Sequence, residues 1–119
     1  MIRFIQLDDT SREFSLTDGV YNQECDSNKT WIWTSQNFGG IVSNISHVTM
    51  NINSDIQNTL YYDDISVQLY PNCVNVVKLK TQGKKTFEVK LANLFIVNND
   101  SRKLGVKLTR IMIDQDVIF

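Results

Sequence analysis

Apolar side chains in this 119-residue chain recur at every second position, not at the helical spacing of three or four. Around residue 50, Val48, Met50 and Ile52 alternate with polar residues. The same alternation runs through residues 65–69 and 86–91. Because successive side chains of a β-strand point to opposite faces of its sheet, the pattern predicts strands with one buried face and one solvent-exposed face.

Clusters of turn-forming residues separate these alternating runs, and no segment carries a convincing helical pattern. Short strands separated by turns at such regular intervals are typical of a β-sandwich or a β-barrel. We therefore predict an all-β fold in which residues 1–119 form a single domain. The predicted strands span residues 2–7, 13–16, 29–34, 45–53, 64–70, 74–80, 85–91, 94–97 and 104–114.

Two local features refine this outline. Gln82-Gly83 lies between two predicted strands and indicates a hairpin of residues 74–80 with residues 85–91. In the last strand the apolar residues change phase, which predicts a β-bulge near residues 109–110.

The charge balance limits the partners that the chain can have. Its 12 basic and 13 acidic residues give a formal net charge of -1. Nucleic-acid binders draw most of their affinity from basic contacts to phosphate, so we predict no nucleic-acid partner. The N-terminus lacks the apolar run of a secretory signal, and no segment approaches the roughly 20 apolar residues of a membrane helix. We expect a cytoplasmic protein without membrane insertion, in which Cys25 and Cys73 are unpaired thiols.

No catalytic constellation is recognisable in the sequence. The single histidine, His47, falls on the polar face of a predicted strand and has no nucleophile-elbow motif beside it. The segment Phe38-Gly39-Gly40 is interpreted as a turn and not as a phosphate loop, and no metal-ligand spacing occurs. We predict a protein that is not an enzyme and that needs no cofactor or metal. A hydrolase centred on His47 ranks last among the hypotheses.

A pair of tryptophans is the most distinctive local feature. Trp31 and Trp33 stand two positions apart, so both rings lie on one face of a strand. If that face is inward, the rings are core. If it is outward, they offer an apolar platform on which the C–H groups of a sugar ring stack. We expect at least one of them to be core, since exposed tryptophan is uncommon.

Three short motifs follow one another along the chain. Their residues are Gly19, Tyr21 and Glu24, then Trp33 and Thr34, and finally Asp100, Arg102, Leu104 and Gly105. The set resembles a small β-sandwich domain found beside bacterial sugar-polymer glycosyltransferases and methyltransferases, whose pattern is approximately Gly-Trp-Tyr-x-x-Glu, Arg-Trp-Thr and Asp-x-Arg-x-Leu-Gly. Val20 and Ile32 depart from that pattern, which has an aromatic residue and an arginine there. The resemblance covers about residues 14–114.

The resemblance implies a two-sheet antiparallel β-sandwich of jelly-roll type, similar to carbohydrate-binding modules and accessory to cell-surface polysaccharide synthesis or modification. The expected ligand is a glycan or polysaccharide, and a glycosyltransferase or methyltransferase is a candidate protein partner. The expected contact residues are Tyr21, Glu24, Trp31, Trp33, Asp100 and Arg102. Glu24 and Arg102 have an equally good structural interpretation, because an ion pair of Arg102 with Asp100 or Glu24 would pin a loop.

The alternative hypothesis is a protein–protein interaction or oligomerisation module with no sugar ligand. Its candidate surface consists of Tyr61, Tyr62 and the strand 74–80, since aromatic residues are enriched at interfaces. A homo-oligomer is included in this hypothesis.

Overall fold

The computed structural model of the protein describes residues 2–4, 11–97 and 99–119. Within these residues lie eleven β-strands. They are β1 (Ile2–Phe4), β2 (Glu13–Val20), β3 (Glu24–Asp26), β4 (Lys29–Ser43), β5 (His47–Asn53), β6 (Asn58–Tyr62), β7 (Ile65–Leu69), β8 (Asn75–Lys80), β9 (Thr86–Leu91), β10 (Lys107–Ile113) and β11 (Asp116–Val117). The all-β prediction is confirmed, and the described residues hold no helix that is long and apolar enough to cross a membrane.

The named strands pair antiparallel and join in one sheet that nearly closes into a barrel. Their order is β7-β6-β9-β4-β10-β5-β8, with β2 and β3 added to β4, β1 to β2 and β11 to β10. We call β1, β2, β6, β7, β9 and the second part of β4 the β9 half. The β10 half consists of β3, β5, β8, β10, β11 and the first part of β4. A jelly-roll division into two sheets stays a prediction.

Strand β4 joins the two halves and is 15 residues long. Its first part pairs with β3 and β10, and its second part pairs with β2 and β9. The interpretation of Phe38-Gly39-Gly40 as a turn is wrong, because all three residues lie inside β4. A Cβ atom on Gly39 or Gly40 would come under 3.0 Å from the backbone of Phe87 or Ser15, respectively. Glycine therefore lets β2 and β9 approach β4 closely from both sides.

The predicted hairpin around Gln82-Gly83 is wrong. Strand β8 pairs with β5, whereas β9 pairs with β4 and β6, so the two strands lie in different halves. Gly83 does occupy a turn, with a φ of 77°, but this turn carries the chain from one half to the other. Alternation could not reveal the difference, because it determines which side chains are buried and not which strand is the neighbour.

Buried apolar side chains from both halves form one core cluster. Val48, Met50 and Ile52 are fully buried in it, as the alternation predicts. The predicted bulge in β10 is confirmed, since the register with β5 shifts between Leu108 and Arg110. The extra residue keeps apolar side chains on the inner face along the whole strand.

Several strand bounds differ from the prediction. The sequence did not indicate β3, β6 or β11, and the predicted strand 94–97 does not form: Phe95 makes only an isolated bridge with Leu104. Strand β2 is longer than predicted and continues through Gly19, whose φ is 72°, with shifts of register against β4. Residues 5–7 of the first predicted strand lie outside the described residues.

Candidate functional site

Strand pairing places several of the predicted contact residues on the outer face of the β10 half. Glu24 of β3 lies opposite Trp31 of β4, and Trp33 lies opposite Lys107 of β10. Lys107 in turn lies opposite Asn53 of β5. Because residues opposite each other in antiparallel strands share a face, these side chains project to the same side of the sheet.

Arg102 contacts three of the other five predicted residues. Its guanidinium makes a bidentate pair with Asp100, with Nε to Oδ1 at 3.0 Å and Nη2 to Oδ2 at 2.6 Å. Its Nη1 donates to Glu24 Oε2 at 3.0 Å. The guanidinium carbon lies 5.0 Å from the centre of the Tyr21 ring, and the Tyr21 hydroxyl donates to the Lys103 carbonyl at 3.3 Å. We call Tyr21, Glu24, Asp100 and Arg102 the Arg102 cluster.

The groups of the Arg102 cluster largely satisfy one another. One guanidinium faces two carboxylates and the ring of Tyr21, and the Asp100 carboxylate also accepts the backbone N–H of Arg102 at 2.9 Å. Bidentate pairing with a carboxylate gives both strength and a defined geometry. The cluster therefore ties the loop that carries Asp100 and Arg102 to β3, which is the structural role that the sequence left open beside a ligand role.

Replacing Asp100 by asparagine is expected to reduce the acid sensitivity of the fold. Hydrogen bonds from the Arg102 side chain and backbone lower the pKa of Asp100 from 3.8 to about 2. A carboxyl group whose pKa is lowered by folding stabilises the protein above its ordinary pKa, and this stabilisation is lost as the pH falls from 3.8 to about 2. Urea unfolding across this interval should show the stability advantage of the wild type over Asp100→Asn shrinking. A difference that stays constant at every pH would contradict the pairing.

The two tryptophans differ in exposure although they share a face. Ile32 between them points into the core, so both rings lie on the outer side of β4. Trp33 is nevertheless only 6% exposed, and the Phe95 ring packs edge-on against it with the centroids 5.5 Å apart. Trp31 is half-buried. Of the two rings, Trp31 is thus the one with surface to offer a ligand.

Lys107, which the sequence did not single out as a site residue, bridges these rings. Its ammonium lies 4.8 Å from the centre of the Trp31 ring and 4.9 Å from that of Trp33. Such contacts are attractive because the faces of aromatic rings carry partial negative charge. Its position beside the rings depends on the pairing of β10 with β4, for which the sequence contains no signal.

An open depression of about 650 Å³ lies beside Trp31. Its lining consists of Asp26, Asn28, Lys29, Thr30, Trp31, Asn53, Val74, Lys107 and Thr109, and we call it the Trp31 depression. A second depression of about 490 Å³ shares Asn53 and Val74 with it, so the two adjoin. No residue of the Arg102 cluster lines the Trp31 depression. The six predicted residues are thus neighbours on one side of the protein but do not form a single cavity.

Two buried polar atoms of residues that line the Trp31 depression have no hydrogen-bond partner among the described residues. They are the donor Trp31 Nε1 and the acceptor Asn53 Oδ1. Folded proteins leave few such atoms unpaired, and each costs about 1–3 kcal/mol.

Other candidate residues do not converge on this region. His47 is half-buried at the start of β5, and its backbone N–H donates to Asp114 Oδ1 at 3.2 Å. Cys25 and Cys73 are exposed free thiols. In the part of the chain that the structure describes, no group of three or more His, Cys, Asp and Glu side chains is placed to hold a metal ion.

No protein-family model, no curated protein and no solved structure matches the chain. The resemblance to accessory domains of glycosyltransferases and methyltransferases therefore stays a prediction based on three motifs. The structure adds that residues of the first and third motifs are in direct contact, through the ion pair of Arg102 with Glu24 and the packing of Arg102 on Tyr21.

Proposed function

We propose that this protein is a non-catalytic carbohydrate-binding module whose ligand lies in the Trp31 depression. The observation that carries the proposal is that one open depression combines a half-exposed indole ring with several hydrogen-bonding side chains. The motif resemblance supports the same function. The proposal includes the jelly-roll-like architecture and an accessory role, beside a glycosyltransferase or methyltransferase, in the synthesis or modification of cell-surface polysaccharide.

The chemistry of a sugar matches the lining of the Trp31 depression. A pyranose ring has C–H groups on its faces and hydroxyl groups around its edge. The Trp31 ring offers apolar surface for the C–H groups. Asn28, Thr30 and Asn53 supply amide and hydroxyl groups that can donate and accept hydrogen bonds. A purely apolar ligand would leave these polar groups unpaired, so the lining favours a ligand rich in hydroxyl groups.

In this proposal the Arg102 cluster positions the site without touching the ligand. Glu24, which Arg102 holds, lies opposite Trp31 in the pair of β3 with β4. The same strand β3 carries Asp26 at the depression. By fixing β3, the cluster fixes one wall of the depression, and the buried Trp33 ring contacts Lys107, which lines the depression from β10.

Binding of a single sugar unit is expected to be weak. A few hydrogen bonds exchanged against water, together with stacking, leave roughly 4–5 kcal/mol, which corresponds to a Kd near the millimolar range. The second depression next to the first favours an oligosaccharide over a monosaccharide. Several copies of the module along one polymer would raise the avidity further.

Replacing Trp31 by alanine is expected to weaken glycan binding by about tenfold or more, because it removes the stacking surface. A glycan microarray identifies the ligand, and calorimetric titration with the strongest hit compares wild type and variant. Tyr61→Ala is the matched control, since Tyr61 is 44% exposed on β6, in the β9 half. The proposal fails if no glycan binds, or if folded Trp31→Ala binds as tightly as the wild type.

The alternative, an interaction or oligomerisation module, is favoured by exposed apolar residues at the ends of the strand order. Ile65 in β7 and Val76 in β8 are 45% and 66% exposed. Tyr62, one of the residues predicted for such a surface, is instead buried, and its hydroxyl donates to the Lys80 carbonyl at 2.8 Å. Tyr61 is exposed as that hypothesis requires. Light scattering that shows a strict monomer at high concentration would remove the self-association form of this alternative.

A further inference from the structure

We infer that the ligand of the Trp31 depression is an acidic saccharide, one whose sugar ring carries a carboxylate, and that Lys107 binds this carboxylate. The inference rests on the proposed carbohydrate-binding function and names the class of ligand for that same site. It is carried by an ammonium group that lines an open depression and has no acidic partner within the described protein.

The charges on the side chains that line the Trp31 depression itself do not cancel. Its charged residues are Asp26, Lys29 and Lys107, so the lining contains one more basic than acidic residue. Asp26 and Lys29 lie opposite each other in the pair of β3 with β4, which places two opposite charges side by side. Neither Lys29 nor Lys107 forms an ion pair among the described residues, and of these two lysines it is Lys107 that contacts aromatic rings.

Lys107 is held differently from the cations that form ion pairs with carboxylates in the described residues. Arg102 pairs with two carboxylates, and Lys84 pairs with Asp63. Lys107 contacts the faces of two indole rings instead. The rings replace part of its water shell and hold the ammonium in position, but they do not neutralise its charge. A positioned ammonium of this kind forms a charge-assisted hydrogen bond with a carboxylate, which is stronger than a neutral hydrogen bond.

A uronic acid would engage the ring and the cation together. Its carboxylate is attached directly to the sugar ring. A sugar ring that packs on the part of Trp31 left open beside Lys107 would therefore bring its carboxylate next to that ammonium, which lies 4.8 Å from the indole centre. A small carboxylate ion would use only Lys107, and a neutral sugar only Trp31 and the polar lining.

The test compares uronate oligosaccharides with their methyl esters, which keep the sugar ring and lose the charge. Both sets are spotted on one microarray, and hits are titrated by calorimetry. The wild type is expected to bind the acid form about tenfold more tightly than the ester. Lys107→Met keeps an unbranched chain beside the rings without the charge, and it should bind acid and ester equally. Lys90→Met is the matched control, since Lys90 is exposed on β9 in the other half and the variant has the same net charge.

The outcomes separate the inference from the function on which it rests. If the wild type binds no glycan, both are removed. If it binds acid and ester equally, or binds neutral glycans alone, the carbohydrate module stands and the acidic ligand is removed. A preference that persists in Lys107→Met, or that Lys90→Met loses equally, overturns the assignment to Lys107. A wild-type preference that weakens at high salt supports the inference, because salt screens charge–charge attraction.

Discussion

Gly40→Ala is expected to abolish stable folding or to lower the free energy of unfolding by about 3 kcal/mol or more. The added methyl group would lie under 3.0 Å from the carbonyl group of Ser15, in the strand that pairs with this part of β4. A backbone atom cannot rotate away as a side chain can, so β2 would have to move off β4. The loss is large because total stabilities of such domains are only about 5–15 kcal/mol.

Gly83→Ala is the control for this substitution. No atom lies within 4 Å of a Cβ built on Gly83, although its φ of 77° disfavours alanine. The expected cost is therefore only that of a left-handed backbone, about 1–2 kcal/mol. Urea unfolding followed by circular dichroism measures both variants. If Gly40→Ala were no less stable than Gly83→Ala, the close approach of β2 to β4 would be wrong.

Trp33→Ala is expected to destabilise the protein by about 3–5 kcal/mol, as is usual when a buried aromatic side chain is truncated. Trp33 is 6% exposed and packs against Phe95 and the Lys107 side chain. Its removal leaves a void between β4 and the segment that carries Phe95, which has no strand pairing beyond an isolated bridge to hold it in place. Thermal unfolding should shift downward by roughly 10–20 °C for a domain of this size.

Trp31→Ala is the matched comparison, because the same substitution is made two residues away on the same face of β4. Trp31 is half-buried, so its loss should cost clearly less stability and leave the fold intact. Stability should thus depend mainly on Trp33, and glycan binding on Trp31. Equal thermal midpoints for the two variants would show that Trp33 is not the buried ring that supports the site.

The contacts within the Arg102 cluster could be predicted from the sequence. The motif residues Tyr21, Glu24, Asp100 and Arg102 do come together, and Arg102 pairs with both candidate carboxylates. Charge complementarity is enough to suggest such pairs, since a partly buried arginine needs acceptors for its donors. The motifs do not indicate that the polar groups of the Arg102 cluster pair mainly with one another. The open depression is lined by Trp31 and not by Arg102.

The surroundings of Trp31 and Trp33 could not be predicted from the sequence. The spacing of Trp31 and Trp33 correctly places both rings on one face of the strand, but it does not indicate what covers that face. Phe95 covers Trp33, and Lys107 contacts both rings, from segments more than 60 positions away in the chain. The hairpin prediction failed for the same reason, since strands that follow one another in sequence need not be neighbours in the sheet.

The sequence by itself determined the all-β class, the buried and exposed faces of β5 and β9 and the bulge in β10, whereas in β7 the alternation was wrong for Ile65, which is 45% exposed. These are local properties, because alternation follows from the geometry of each strand's own backbone. The tertiary structure decided which strands are neighbours, the course of β4 through both halves, and which tryptophan remains open to a ligand. Every strand edge offers the same backbone hydrogen bonds, so the choice of neighbour depends on how distant side chains pack once the chain has closed upon itself.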